Sequence, residues 1–239
     1  MKESIFITLV LVLVYIFILV NKKNLKLVEY NGYRFLIQNT NSPTNNLTLL
    51  AEIVKRLFIL RNFLIQKFKA IDFSDIDENI INKITLCKDN DTSIYKNECI
   101  KGISNFLSED EFKLSIKILE KNFSKERTII SENINESQYT SYSVNKGEEI
   151  VFCLKSRQNK KIHHVNLLMY VAIHELAHCG CIEIGHTNLY NRIFKVYLLV
   201  AIQLNLYKYD DYSKSSVEYC GMIVNSHILS TYDYYILKN

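Results

Sequence analysis

The residues best suited to chemistry lie between positions 170 and 186, where the chain reads YVAIHELAHCGCIEIGH. Three of the six histidines in the 239 residues fall within this stretch. His174 and His178 are four residues apart, so on a helix their imidazoles lie on one face and can share a metal ion. Glu175 follows His174 and can take a proton from a water held by that ion. The spacing therefore predicts a hydrolytic metal centre, with Zn2+ as the metal.

A third metal ligand has to come from outside this helix, because a catalytic zinc commonly takes three protein ligands and keeps one position for water. His186 lies eight residues after His178, and two intervening glycines allow the chain to turn back. We therefore predict His174, His178 and His186 as metal ligands and Glu175 as the catalytic base. Glu218 is the alternative third ligand, as in zinc enzymes that use two histidines and one glutamate.

Several other polar residues have possible roles near such a centre. His163 and His164 precede the motif and are expected at the surface, where the helix begins. His227 is isolated in the sequence and is expected to be structural. Tyr212 or Tyr219 is a candidate for stabilising the oxyanion formed during hydrolysis.

The cysteines do not form a recognisable metal or disulfide framework. They contain no CxxC pair and are too sparse for a disulfide scaffold, so we expect reduced thiols, several of them buried. Cys179 and Cys181 lie close to the predicted centre and are expected to be packing residues. The six cysteines are Cys87, Cys99, Cys153, Cys179, Cys181 and Cys220.

The elements that position these residues follow an apolar N-terminus. Residues 5–20 carry no charge, which predicts an uncleaved transmembrane anchor over residues 1–21. A cleaved signal peptide is the alternative, but no small-residue cleavage site follows the apolar run. Three lysines after it predict that the bulk of the chain lies on the cytoplasmic side of a membrane crossed once.

The rest of the chain mixes strand and helix signals. Asn31-Gly32 between two β-rich runs predicts a hairpin, which with a linker occupies residues 22–46. Apolar periodicity predicts a helix over residues 47–68, and Ser108 with Glu111 has capping-box spacing. A strand over residues 149–155 precedes the metal-binding helix, residues 165–179, and another helix begins near residue 187. We predict an α+β fold in which residues 47–239 form one domain behind the anchor.

The motif also resembles a known family. HELAH followed by GHTNLY resembles the zincin metallopeptidases of the WLM and SprT-like type, in which HExxH is followed by a further histidine. This resemblance implies a zincin-like domain with zinc on His174, His178 and His186 and with Glu175 as base. The layout of an N-terminal span and a small HExxH domain resembles membrane-anchored metallopeptidases of large DNA viruses.

These observations predict a membrane-anchored zinc metallopeptidase that hydrolyses a protein or peptide substrate. The strand at residues 149–154 is a candidate sheet edge for binding an extended peptide. The net charge of +4 is mild and no basic stripe is present, so nucleic acid is not an expected partner. The alternatives are a catalytically inactive zinc-containing membrane or virion protein, with a structural or host-interaction role, and a membrane protein without metal.

Overall fold

The computed structural model describes residues 25–38, 44–69, 106–133, 140–230 and 233. Eleven elements lie in these ranges, and they mix helices and strands along the chain. The strands are β1 (Leu25–Tyr30), β2 (Tyr33–Gln38), β3 (Ile129–Glu132), β4 (Tyr142–Val144), β5 (Glu149–Phe152), β6 (Val217–Tyr219) and β7 (Met222–Val224). The helices are α1 (Thr44–Lys69), α2 (Glu109–Asn122), α3 (Val165–Gly180) and α4 (Asn188–Gln203). The fold is α+β.

A five-stranded mixed sheet has the order β1-β2-β3-β5-β4. β1 and β2 form the predicted hairpin, and Asn31 and Gly32 take the positive φ angles that its turn requires. β2 pairs in parallel with β3, so the hairpin, which was predicted together with a linker over residues 22–46, belongs to the sheet. A separate two-stranded sheet joins β6 to β7.

The sheet corrects the predicted position of the edge strand. β5 lies between β3 and β4 and is parallel to the first and antiparallel to the second. Its residues Ile150, Val151 and Phe152 are all buried, as is typical of a strand covered on both faces. The prediction that this strand forms a sheet edge is therefore wrong, and β4 takes that place.

Helices cover the sheet and enclose the main core. α3 packs against α1, α2 and α4 and also contacts β4. Ser108 caps α2, and its side chain and that of Glu111 form the predicted capping box. Arg192 of α4 binds both carboxylate oxygens of Glu111, at 2.7 and 2.8 Å, and so ties α4 to the start of α2. These contacts place α3 at the centre of the helical layer.

The predicted membrane anchor requires a correction. Residues 1–21 lie outside the described residues. Within the described ranges, no helix combines the length and the apolar character needed to cross a membrane. The predictions of a membrane-anchored fold and of a single-pass membrane location are therefore wrong. The described part of the chain forms an α+β fold in which no helix could span a membrane.

A disulfide joins the two sheets and corrects the expectation of reduced thiols. Cys153, directly after β5, is bonded to Cys220 in the turn between β6 and β7, across 67 positions of sequence. Cys179 and Cys181 are free and buried, as expected of packing thiols, and burial raises the pKa of the Cys179 thiol. Cys87 and Cys99 lie outside the described residues.

Candidate metal centre

The helix α3 carries the first two candidate ligands. It begins at the cap His164, whose Nδ1 accepts a hydrogen bond from the backbone N–H of Asn166, and it ends at Gly180. Most of its surface is buried, since apolar residues lie on nearly every side. His174 and His178 remain partly exposed on one face. The helix therefore holds two imidazoles firmly while leaving them accessible.

The third histidine arrives through the loop that joins α3 to α4. Gly185 adopts a φ of +83°, a left-handed conformation that glycine reaches without strain, and His186 follows it. The Nε2 atom of His186 lies 3.0 Å from Nε2 of His174 and 3.2 Å from Nε2 of His178. Thr187 then caps α4 by accepting a hydrogen bond from the backbone N–H of Tyr190. The structure thus brings the three predicted ligands together.

The three histidines fit a metal ion by their chemistry. Their candidate ligand atoms all lie within 4.8 Å of one another, and His186 is exposed to solvent. Burial, followed by the charges of the neighbouring histidines, lowers the pKa of His174 to about 3. Burial, then His186 and Lys146, lowers the pKa of His178 to about 4. Both imidazoles are therefore neutral near pH 7, which is the form that binds metal.

Tyr190 supports all three imidazoles from the first turn of α4. Its ring stacks on that of His178, with centroids 4.1 Å apart and an interplanar angle of 21°. It also meets the rings of His174 and His186, at centroid distances of 5.4 and 5.0 Å. Its hydroxyl donates a 3.1 Å hydrogen bond to the backbone carbonyl of His174. Tyr190 therefore fixes the ring planes of the cluster.

Glu175, the predicted base, lies next to His174 on α3 and is only 3% exposed. The backbone N–H of Ser143, on the edge strand β4, donates a hydrogen bond to its carboxylate. Burial raises the pKa of Glu175 to about 8, and the Ser143 hydrogen bond acts in the opposite direction. A carboxylate with a pKa near neutrality is suited to taking up and releasing a proton at physiological pH.

The alternative ligand and the candidate tyrosines lie elsewhere. Glu218 accepts a hydrogen bond from the backbone N–H of Gly221 in the β6–β7 turn. It does not belong to the group of neighbouring side chains that could hold a metal ion, which among the described residues consists of the three histidines. Tyr219 is buried and donates its hydroxyl hydrogen bond to the carbonyl of Cys153. Tyr212 is buried in an aromatic cluster with Tyr170 and His227. Within the described residues, no hydrogen bond or ring contact joins these three candidates to the three histidines of the predicted site.

Of the two histidines expected at the surface, one is exposed and the other is buried. His164 is exposed at the start of α3, as predicted. His163 is buried instead, because its Nε2 accepts the backbone N–H of Cys220 at 3.3 Å beside the disulfide. His227 is structural as predicted, since Leu229 and Tyr207 bind its two ring nitrogens.

Three residues near the centre, Tyr190, Ser143 and Lys146, are not indicated as site residues by the sequence. Tyr190 belongs to the stretch GHTNLY. Its position three residues after Thr187, a residue type that often begins a helix, could have placed it in the first turn of α4. Ser143 and Lys146 lie about 30 residues before the motif. Their proximity to it depends on how β4 and its turn pack against α3, which no local pattern indicates.

Comparison with known proteins places the chain among proteins of large DNA viruses. It is 35% identical over 199 residues to uncharacterized protein R325 of Acanthamoeba polyphaga mimivirus, covering 77% of this chain and 96% of that protein. The chain belongs to the same family as this mimivirus protein.

Shorter similarities extend to iridescent viruses. Uncharacterized protein 136R of Invertebrate iridescent virus 6 is 35% identical over 83 residues, or 34% of this chain and 46% of that protein. Uncharacterized protein 042R of Invertebrate iridescent virus 3 is 39% identical over 67 residues, or 28% of this chain and 42% of that protein. No protein-family profile and no solved structure matches the chain.

Proposed function

We propose that this protein is a zinc-dependent metallopeptidase that resembles the WLM and SprT-like zincins. The observation that carries the proposal is the convergence of three imidazole Nε2 atoms, from His174, His178 and His186, on a site whose helix also carries the buried Glu175 directly after His174. A structural zinc site has no need of an adjacent base, whereas hydrolysis requires one. The combination of ligands and base therefore favours catalysis.

The ligand set suits zinc in a catalytic rather than a closed structural site. Three histidine ligands leave one tetrahedral position for water, and the partial exposure of the cluster leaves it open to a substrate. A bound zinc supplies Lewis acidity that polarises a scissile carbonyl and lowers the pKa of water. α3, the loop before α4 and the ring of Tyr190 hold these three imidazoles in place.

Glu175 performs the proton transfers. Its carboxylate takes a proton from the attacking water and later delivers it to the leaving amine of the cleaved peptide bond. Burial and the Ser143 N–H fix its orientation, and a pKa of about 8 lets it both accept and release a proton near neutral pH. The position of Glu175 directly after His174 keeps the base on the helix that carries two ligands.

The substrate is a protein or peptide segment in an extended conformation. β4 is one of the two outer strands of the sheet, and its residue Ser143 contacts the proposed catalytic glutamate. An extended peptide that pairs with this edge would run past the base, with backbone hydrogen bonds giving affinity without strict sequence preference. The exposed ring of Tyr142 on the same strand offers a contact for a substrate side chain.

The test combines metal analysis with an assay on casein, an unfolded protein. The full-length wild type should bind one zinc and cleave casein in a chelator-sensitive manner. Glu175→Gln should keep the zinc and lose roughly 10²–10⁴-fold in rate, because an amide cannot accept the water's proton. Glu29→Gln, an exposed glutamate of β1, serves as the matched control and should cleave normally.

Two outcomes would contradict the proposed activity. If the wild type binds no zinc, the metallopeptidase proposal is wrong. If it binds zinc but cleaves no faster than Glu175→Gln, the site is structural, and the protein is an inactive zinc-containing member of its family.

A further inference from the structure

The turn between β4 and β5 is pressed against the end of the metal-binding helix. Asn145, Lys146 and Gly147 all have positive φ angles, of 46°, 55° and 112°. A Cβ atom at Gly147 would lie 2.8 Å from the carbonyl oxygen of Asn122 and 3.0 Å from Sγ of Cys179. Only glycine permits this close approach, so the turn is seated against α2 and α3 in one position.

Lys146, at the tip of this turn, binds the loop that leads to His186. Its Nζ atom donates hydrogen bonds to three successive backbone carbonyls, those of Cys181, Ile182 and Glu183, at 2.6, 3.1 and 2.6 Å. An ammonium group has three N–H donors, and here each has a carbonyl acceptor. The amine is thus fully occupied by the loop rather than directed at a substrate.

The loop itself has little burial to hold it. Every residue from 182 to 186 is exposed, including two isoleucines, Ile182 at 57% and Ile184 at 88%. Hydrophobic burial resumes in α4, with Leu189 packed against the core and Tyr190 fully buried. Charge-assisted hydrogen bonds to backbone carbonyls are therefore a main restraint on the path of this segment, and they are stronger than neutral ones.

We propose that Lys146 is a positioning residue for His186, acting by ordering the loop before a metal binds. The inference rests on the proposed metal site, since it assigns Lys146 a role toward the third ligand. A loop that is already curved toward His174 and His178 loses less conformational entropy on binding zinc, so preorganisation raises affinity. Without the ammonium, the two helical imidazoles stay in place while His186 becomes free to move away.

A double-mutant cycle on zinc affinity tests this coupling in the full-length protein. Zinc dissociation constants are measured against a competing chelator for wild type, Lys146→Met, His186→Ala and the double variant. Lys146→Met should weaken zinc binding by about 10–100-fold, the range for losing a group that supports a ligand. In the His186→Ala background the same substitution should have almost no further effect, since the ligand that it positions is gone.

The controls separate positioning from general damage. Lys117→Met removes an exposed lysine of α2 and should leave zinc affinity unchanged. Lys146→Arg keeps the charge and several donors and should lose less affinity than Lys146→Met. The proposal would be overturned if Lys146→Met lowered zinc affinity equally in the wild-type and His186→Ala backgrounds, or in neither. It would also be overturned if Lys146→Arg bound zinc as weakly as Lys146→Met.

Hydrogen exchange gives a readout that needs no zinc. In the presence of chelator, the amides of residues 182–187 should exchange faster in Lys146→Met than in wild type or Lys117→Met, while those of α3 stay unchanged. Unchanged exchange in residues 182–187 would refute the ordering of the loop by Lys146. A wild type that binds no zinc would refute the proposed function, so the two failures are read from different measurements.

Discussion

Removing the disulfide between Cys153 and Cys220 should destabilise the protein strongly. The bond links the end of β5 to the β6–β7 turn, two segments that are 67 positions apart in the sequence. The perturbation is the double substitution Cys153→Ala with Cys220→Ala, which removes the cross-link without leaving an unpaired thiol. Its main effect is to release a long loop in the unfolded chain, which gains conformational entropy.

The size of the effect follows from the length of that loop. For a closed loop of this length, the chain-entropy relation gives about 4 kcal/mol of unfolding free energy at 25 °C. In a domain of this size each kcal/mol shifts the melting temperature by roughly 2–4 °C. The double variant should therefore melt about 8–16 °C below the wild type.

Urea unfolding followed by circular dichroism measures the change, and mass spectrometry of the non-reduced digest should show the peptides of Cys153 and Cys220 joined. Cys181→Ala is the matched control, because it also deletes a buried sulfur but breaks no cross-link. It should cost about 1–2 kcal/mol through lost packing. The reasoning would be refuted if the double variant were no less stable than this control. It would also be refuted if both cysteines of the wild type reacted with alkylating reagents after unfolding without reductant.

Three further perturbations test the site and its frame. His186→Ala should weaken zinc binding by more than about 100-fold, above the range for supporting groups, while Glu218→Ala should leave the affinity near wild type; a zinc titration with the reverse pattern would refute the three-histidine site. Tyr190→Phe should cost about 1 kcal/mol in urea unfolding, because the hydroxyl loses its bond to the α3 backbone, but should keep zinc affinity because the stacked ring remains; a large loss of affinity would contradict this. Hydrogen bonds from Arg192 lower the pKa of Glu111 to about 2, so this carboxylate stabilises the fold above its unfolded pKa near 4.5 and loses that contribution as the pH falls toward 2. Glu111→Gln should therefore be less stable than wild type at pH 7, by at most about 1 kcal/mol for this partly exposed pair. The difference should shrink as the pH falls from 4.5 through 2, and a difference independent of pH would exclude the ion pair as the cause.

Local features of this protein are predictable from its sequence because they depend on neighbouring residues. Asn31-Gly32 adopts the left-handed turn that few other residue pairs accept, so the hairpin could be located. Ser108 and Glu111 satisfy each other's backbone N–H groups within one turn, which marks the start of α2. The four-residue spacing of His174 and His178 likewise places both on one helical face, whatever the helix packs against.

Contacts between distant segments were decided only by the tertiary structure. Cys153 and Cys220 are brought together because the β6–β7 turn lies against the segment that follows β5, and His163 is buried because the same turn covers it. β5 reads as a good strand in either an edge or an interior position. Its place between β3 and β4 depends on which strands pair, and the strand's own residues do not encode this.

The candidate site combines both kinds of information. The sequence by itself determined a helix with two histidines and a glutamate, and it narrowed the third ligand to His186 or Glu218. The folded chain brings His186 to the other two through an exposed loop whose carbonyls accept hydrogen bonds from Lys146, in a turn about 40 residues earlier. It placed Glu218 in β6 of the second sheet, where its carboxylate accepts the backbone N–H of Gly221. An exposed loop has no hydrophobic pattern to reveal its path, so its course is set by backbone hydrogen bonds that only the assembled structure contains.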